Sequence, residues 1–249
     1  MWGKRLIKER MSSIIQREIK YMDETQESKL RLNDARLVDL VREFAKIKTL
    51  YSCALREVTT KFEVLNEDLS TRYNRNPIEF ITSRIKSPES IVNKLQRRGL
   101  ELSRESAVEN LSDIAGVRVI CSFIEDIYQV AEMFTRQDDV RLLEVKDYIK
   151  HPKPNGYRSY HMIVEIPVFF ADKKRNVKVE VQLRTIAMDF WASLEHQMYY
   201  KKNQEDSGEI ASRLKRCAEI IAATDREMEE IGRLLYAARQ KELEEKKEA

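Results

Sequence analysis

The chain holds little glycine and little proline, six and five in 249 residues, and neither occurs between Gly3 and Pro77. A stretch that long without a breaker excludes a series of short turns and favours continuous helix. Cysteine is scarce too. Cys53, Cys121 and Cys217 are odd in number and far apart, which excludes a disulfide framework or a zinc spacing and suits a reducing compartment. No apolar run is long enough to span a bilayer, and the opening "MWGKRLIKERMSS" lacks the continuous apolar segment of a signal peptide. Neither sign of charge dominates. A balance of 45 basic and 42 acidic residues gives a formal net charge of +3, which excludes a nucleic-acid coat protein and leaves phosphate binding to local clusters. No GxxxxGK[ST] loop occurs, so the chain is not a P-loop enzyme. A soluble cytoplasmic protein is expected, of one large domain or two small ones.

Charge itself is plentiful. Charged residues make up 35% against roughly 25% in ordinary globular domains, which points to long solvated helix faces. Leu37, Leu40, Val41, Phe44 and Ile47, then Leu55, Val58, Phe62, Leu65 and Leu69, recur at threes and fours and predict amphipathic helices. The texture changes at Pro77. "GVRVICSFI" and "SYHMIVEIPVFF" are β-branched and aromatic, "VKVEVQL" alternates, and "IYQVAEMFTRQ" reads as a helix. After Asp206–Gly208 a helical pattern returns through Ile210, Leu214, Cys217, Ile221, Thr224, Met228, Ile231 and Leu235, and the charged tail "QKELEEKKEA" is expected to fray. The reading is an α+β protein with a mixed β-sheet of about five strands flanked by helices. Its parts are an N-terminal helical region (1–76), a central domain (77–205) and a C-terminal helix with tail (206–249). The two flanking helical regions suggest subunit contacts, although packing within one chain would give the same pattern.

Four polar clusters interrupt the central domain. In "VKVEVQLR", Val177, Val179, Val181 and Leu183 share one strand face, and Lys178, Glu180, Gln182 and Arg184 share the other. In "LSDIAGVRVI", Asp113 precedes a strand from which Arg118 projects. Read alone Asp113 is a turn residue, but with a glutamate on a neighbouring strand it could hold one Mg²⁺, which favours hard oxygen ligands and often takes only one or two carboxylates plus substrate phosphates. In "SRIKSPESIVNKLQRRG", Ser87 and Pro88 signal a helix start. Arg84 and Lys86 lie just before it, and Ser90, Lys94 and Arg97 or Arg98 follow at one-turn intervals; this is a basic surface helix or a polyphosphate seat. In "HPKPNGYRSYH", two prolines and Asn155–Gly156 build a tight loop that presents Tyr157 and Tyr160 beside Lys153 and Arg158. Such a loop either covers a core edge or seats a purine among cations. On the helix predicted for "RTIAMDFWASLEHQ", Asp189, Ala192 and His196 share a face with Glu195 close by, and Ile186, Phe190, Trp191 and Leu194 are expected to pack inward.

The segments "RIKSPES", "DIAGVRV", "KPNGYRSYH" and "EVQLRT…MDFWASLEH" occur in the order and spacing of RelA/SpoT-type alarmone synthetases. The resemblance covers roughly Ile78 to Lys202, and the short chain is similar to the small alarmone synthetase subclass. It implies the nucleotidyltransferase-like synthetase fold and a GTP/GDP pyrophosphokinase that moves the β,γ-pyrophosphate of ATP to the ribose 3′-hydroxyl of GTP or GDP. The products, pppGpp and ppGpp, are stringent-response alarmones. It implies that Asp113 and Glu180 hold Mg²⁺, with Glu180 taking the 3′-hydroxyl proton. Arg84 and Arg118 would sandwich adenine, and Lys86, Ser87, Ser90, Lys94, Arg97 and Arg98 would take the ATP phosphates. Tyr157 would stack on guanine, with Lys146, Lys153, Asn155, Arg158, His161, Gln182, Arg184, Asp189, Glu195 and His196 completing the acceptor site. Long family members carry a hydrolase domain on a His-Asp metal site. The histidines here are His151, His161 and His196, so no hydrolase activity is expected. Glu144-Val145-Lys146-Asp147 is a hybrid of the Arg-x-Lys-Asp and Glu-x-Asp-Asp signatures of long members, and Asp189 stands where some small synthetases have Asn. The resemblance further implies a homo-oligomer, with a tetramer favoured, acting without a membrane or an obligatory nucleic acid; RNA regulation stays open. The competing reading is a catalytically silent nucleotide- or RNA-binding module on the same fold. The presence of both Asp113 and Glu180 argues against it, because a pure phosphate binder needs neither carboxylate.

Overall fold

The computed structural model describes residues 34–73, 75–200 and 207–248. The chain forms two compact units, Met1–Lys46 and Ile47–Ala249. Residues 1–33 of the expected helical region, and 201–206, lie outside the described residues. Helix α1 (Asp34–Tyr73) fills the glycine- and proline-free stretch. From Ile47 onward it buries Ile47, Leu50, Tyr51, Ala54, Leu55, Val58, Phe62 and Leu69, the three-and-four spacing of one helix face.

Then follow β1 (Ile78–Ile85), α2 (Pro88–Arg97), α3 (Arg104–Asn110), β2 (Ala115–Cys121), α4 (Ile124–Thr135), β3 (Arg141–Asp147), β4 (Tyr160–Phe169), β5 (Lys174–Thr185), α5 (Ile186–Tyr200) and α6 (Ser207–Glu248). The five strands form one sheet in the order β1-β2-β5-β4-β3. Only β2 and β5 run parallel; the other neighbours are antiparallel, so the sheet is mixed. Val117 and Val119 of β2, Val177, Val179, Val181 and Leu183 of β5, and Met162, Val164 and Ile166 of β4 are all buried, and the pairing register puts them on one face. Helix α4 meets this sheet with Ile127, Val130 and Phe134 buried, and the Phe134 ring stacks on Phe62 of α1 at 4.2 Å between centroids. Truncating a ring in such a core typically costs roughly 3–5 kcal/mol.

Two segments not read as strands prove to be them. "IEFITSRI" is β1 and "RLLEVKD" is β3, and they are the two edges of the sheet. An edge strand can leave both faces exposed, so neither shows the apolar alternation that marked β2, β4 and β5. Helix α5 also departs from expectation. Ile186 and Phe190 are 53% and 58% exposed; Trp191 turns inward as expected, joined by Met188 and Ala192. Helix α6 continues to Glu248, through most of the tail expected to fray.

Candidate active site

Strand pairing sets the polar face of the sheet in rows. One row runs Arg84, Gly116, Glu180, Ile163 and Glu144; the next runs Thr82, Arg118, Gln182, His161 and Lys146. Because side chains alternate, members of these rows rise from the same face. Arg84 and Arg118 therefore stand on β1 and β2, His161 and Lys146 on β4 and β3, and Glu180 with Gln182 on β5 between them.

Asp113 enters this face from the turn ahead of β2. The end of β1 is stitched to that turn by Lys86 N donating to Ile114 O at 2.8 Å. Ser87 then caps α2, its Oγ accepting from Ser90 N at 3.2 Å, with Pro88 in the first helical position as expected. The helix start brings two ammonium groups onto one oxygen: Lys86 Nζ and Lys94 Nζ both donate to Asp113 Oδ2, the latter at 2.6 Å. Asp113 Oδ1 is buried and has no hydrogen-bond partner among the described residues. Burial works to raise the Asp113 pKa, but the hydrogen bonds and charges of the two lysines outweigh it and hold the carboxyl below its usual range. From α1, the buried phenol of Tyr51 is pushed up to about 12 by its burial and by the Asp113 charge.

Glu180 is surrounded differently. Burial raises its pKa, yet hydrogen bonding and charge from His161, with a hydrogen bond from Gln182, bring the net value below the usual carboxylate range. The Asp113 charge acts against that lowering, so the two carboxylates feel each other across the face. Gln182 Nε2 donates to Glu180 Oε2 at 2.9 Å, and His161 Nδ1 lies 3.6 Å from Glu180 Oε1. Behind them sits Arg184, 4% exposed, whose Nη2 donates to Tyr157 Oη at 2.7 Å and to Gln182 Oε1 at 3.2 Å. The Tyr157 hydroxyl in turn lies 2.8 Å from His161 Nε2. Arg184 is neutralised by Asp189, 2.9 Å away, and the same Asp189 oxygen lies 3.2 Å from Arg118. Burial and the neighbouring Arg184 lower the Arg118 pKa, with Arg84 adding to the crowding of guanidinium groups.

The loop between β3 and β4 is shaped by its breakers. Gly156 N donates to Lys153 O at 2.8 Å, which closes a turn over Pro154 and Asn155. Gly156 has φ +93°, and a Cβ there would come within 2.5 Å of Ala218 Cβ on α6, so both backbone and packing require glycine. Asn155 accepts from Tyr157 N and donates to Glu195 on α5 at 3.0 Å, which ties the loop to that helix. Tyr157 packs on the cluster of Trp191, Ala192 and Ala218, and Trp191 Nε1 donates to Leu214 O of α6. The Lys153 ammonium lies 4.8 Å from the Tyr157 ring centre and 4.7 Å from that of Tyr148. Tyr148, which also meets His161 edge to face at 5.2 Å, was not anticipated; its signal was an aromatic residue directly ahead of the loop.

Not every expected residue joins this constellation. Arg158 turns to α6, donating to Ala218 O at 3.2 Å as well as to Gly156 O. Tyr160 lies across the sheet register on the Leu183 face and meets Tyr128 of α4 edge to face. Arg98 donates to Asn110 O at the end of α3, and Arg97 and His196 are exposed on their helices. Lys146 pairs with Glu144 at 2.9 Å at the edge of the sheet. A groove of about 440 Å³ lined by Phe123, Met133 and Tyr236 contains none of the polar groups above, so chemistry and not concavity locates the site.

The face can therefore present cations to polyphosphates on its β1–α2 side and an aromatic ring with cations on its loop side, with two carboxylates between. Those carboxylates, with one buried oxygen still unpartnered, could hold a hard divalent cation. Among the described residues there is no group of three or more His, Cys, Asp or Glu that could do so.

Comparison with known proteins bears on the same residues. The family model described as "Region found in RelA / SpoT proteins" matches residues 83–205. GTP pyrophosphokinase YwaC of Bacillus subtilis (strain 168) is 49% identical over 179 residues, covering 72% of this chain and 85% of that protein. The crystal structure of small alarmone synthetase 2 from Bacillus subtilis matches with a TM-score of 0.70 at 46% identity, over 77% of this chain and 98% of the other. Small alarmone synthetase 1 from Bacillus subtilis, solved bound to its product pppGpp, matches with a TM-score of 0.70 at 35% identity, over 76% and 96% of the two chains.

Proposed function

The chain belongs to the RelA/SpoT family, and from that premise we propose that it is a GTP/GDP pyrophosphokinase that makes pppGpp or ppGpp from ATP and GTP or GDP. The observation that carries this reading is the placement of Glu180 and Asp113. Both are carboxylates held below their usual range, Glu180 feeling the Asp113 charge, on the seam between the arginines of β1 and β2 and the Tyr157 loop. In the reaction the ribose 3′-oxygen bonds to the β-phosphorus of ATP and the bond from that phosphorus to the oxygen bridging the α-phosphate breaks. AMP leaves, and the hydroxyl proton goes to Glu180 Oε. Arg84 and Arg118 would hold adenine between their planes. Lys86, Ser87, Ser90 and Lys94, with Arg97 beside them, would take the ATP phosphates at the capped start of α2. Tyr157 would stack on guanine, with Lys153 displaced from the ring toward the acceptor phosphates and Lys146 nearby; Arg158 supports the loop from α6.

Asp113 and Glu180 would hold the magnesium ion, and the unpartnered Oδ1 of Asp113 fits a hard-cation ligand. When bound, that ion would offset the charge that develops on the transferred group. A carboxylate held below its usual range is a weak base for a ribose hydroxyl, so Glu180 accepts the proton late, as the new bond forms.

Synthesis without hydrolysis, a stringent-response role, a cytoplasmic location and a homo-oligomer, with a tetramer favoured, belong to the same proposal. The three histidines, all within or beside the synthetase segments, support the first. No helix among the described residues is long and apolar enough to cross a membrane.

The test is direct. The protein is mixed with ATP, GDP and Mg²⁺ and the nucleotides are separated; a guanosine tetraphosphate and AMP are expected in equal amounts. Glu180→Gln should keep ATP binding and lose on the order of 10²–10⁴ in turnover, the range of a positioned general base. A variant within a few-fold of wild type would remove the base role.

A further inference from the structure

We propose that Arg184 is a positioning residue for this reaction, the group that fixes which donors Gln182 and His161 turn toward the two oxygens of Glu180. The inference rests on the pyrophosphokinase reading for its consequence and on geometry for its content. Guanidinium nitrogens donate and never accept. Arg184 Nη2 reaches Tyr157 Oη at 2.7 Å, so that oxygen receives a proton from the arginine and must direct its own elsewhere. The acceptor at hand is His161 Nε2, 2.8 Å away. With Nε2 accepting, a neutral His161 carries its proton on Nδ1, the nitrogen that faces Glu180 Oε1 at 3.6 Å. That separation is slightly longer than a hydrogen bond, as catalytic contacts often are before substrate closes the site.

The same nitrogen fixes the other side. Arg184 Nη2 also reaches Gln182 Oε1 at 3.2 Å, which assigns the amide orientation and turns Nε2 to Glu180 Oε2 at 2.9 Å. Both oxygens of Glu180 thus trace back to Arg184 Nη2, one through Gln182 and the other through Tyr157 and His161. An apolar or accepting group in place of Arg184 would leave both the amide and the imidazole free to reverse. Arg184 is itself pinned: it is buried, paired with Asp189, and has Nε 3.4 Å from Ser159 Oγ. The rigidity that orients a reacting group comes from a second tier of partners such as this. Gln182 and His161 then act on Glu180, and Arg184 acts through them without touching nucleotide.

The test uses the full chain labelled with ¹⁵N-histidine. There are three histidines, so the His161 signals can be identified from a His161→Asn sample. The wild type should show His161 protonated at Nδ1 and unprotonated at Nε2. Tyr157→Phe keeps the ring but removes the hydroxyl, and should convert His161 to a mixture of tautomers or to the Nε2–H form. Its kcat should fall on the order of ten- to a hundredfold, the loss typical when an orienting partner is removed, with KM for GDP within about twofold. Arg184→Lys, which keeps the charge but not the forked donors, should change the tautomer and kcat in the same direction; if it fails to fold, Tyr157→Phe decides alone. An Nε2–H His161 in the wild type, or a Tyr157→Phe variant with unchanged kcat and tautomer, overturns the proposal. If the wild type makes no tetraphosphate, the pyrophosphokinase reading fails separately, and the tautomer measurement still decides the hydrogen-bond assignment.

Discussion

Tyr157 performs two tasks that mutation can separate. In the proposed function its ring offers a face for guanine, and its hydroxyl lies in the chain from Arg184 to His161. Replacing the residue by alanine removes both. Stacking of a base on an aromatic side chain is worth about 1–3 kcal/mol, so Tyr157→Ala should raise KM for the guanine nucleotide between about fivefold and a hundredfold. KM for ATP should stay near wild type. Steady-state kinetics with each substrate varied in turn would check this, and loss of ATP affinity with guanine KM unchanged would reverse the two pockets. Part of this site could be read directly from the sequence. Strict alternation in "VKVEVQLR" places Glu180, Gln182 and Arg184 on one face, and the pairing register bears that out. What could not be read was the direction in which long side chains turn. Arg158 beside Tyr157 and Arg184 on β5 both read as cations of the acceptor site, yet one reaches a carbonyl of α6 and the other is buried among Asp189, Gln182 and Tyr157. Local spacing carries no information about partners sixty residues away.

The junction of β5, α5 and α6 rests on one hydroxyl. Thr185 Oγ1 accepts from Met188 N at 3.1 Å, capping α5, and donates to Asp225 of α6 at 2.6 Å. Asp225 is buried, and burial, with the Glu229 charge, raises its pKa against the opposing effects of Thr185 and Arg226. A carboxyl whose folded pKa is raised stabilises the fold fully below its unfolded pKa of about 3.9 and loses that contribution as pH rises through the folded value. Asp225→Asn can still accept from Thr185 and has no charge to bury. Its Tm relative to wild type should therefore rise with pH as the wild-type carboxyl is forced to ionise in its buried site. A difference in melting temperature that stays flat from acid to neutral pH would remove the claim. This junction was not legible beforehand, because an aspartate in a charged helix reads as solvated until the packing is known. The same limit explains the edge strands and α5. β1 and β3 are exposed along most of their length, so no apolar alternation announced them. Ile186 and Phe190 have core-like side chains but stand on the outer side of α5.

At the scale of the whole molecule, α6 is apolar on two sides. Ala218, Ala222 and the half-buried Leu214 and Ile221 face the body of the protein. Ile220, Met228, Ile231, Leu234 and Leu235 are exposed, the last two at 66% and 67%. At 100° per residue these five fall within a band of about 120°, adjacent to the buried face and with its centre roughly 130° around the helix from that face's centre. A helix with apolar residues on both sides is suited to being covered on both, and contiguous exposed patches of this kind mark association surfaces. The proposed homo-oligomer gives that outer stripe an occupant in a second copy of the chain. Multi-angle light scattering of the purified protein should give a multiple of 29.4 kDa, four times that mass if the assembly is a tetramer. The paired substitution of Leu234→Glu and Leu235→Glu places two charges in the stripe and should lower the mass toward the monomer, while the Tyr157 loop, which rests on the inner face of α6, keeps its packing. Wild-type protein at monomer mass across the working concentration range would end the oligomer proposal, and an unchanged mass in the doubly substituted chain would move the interface away from α6.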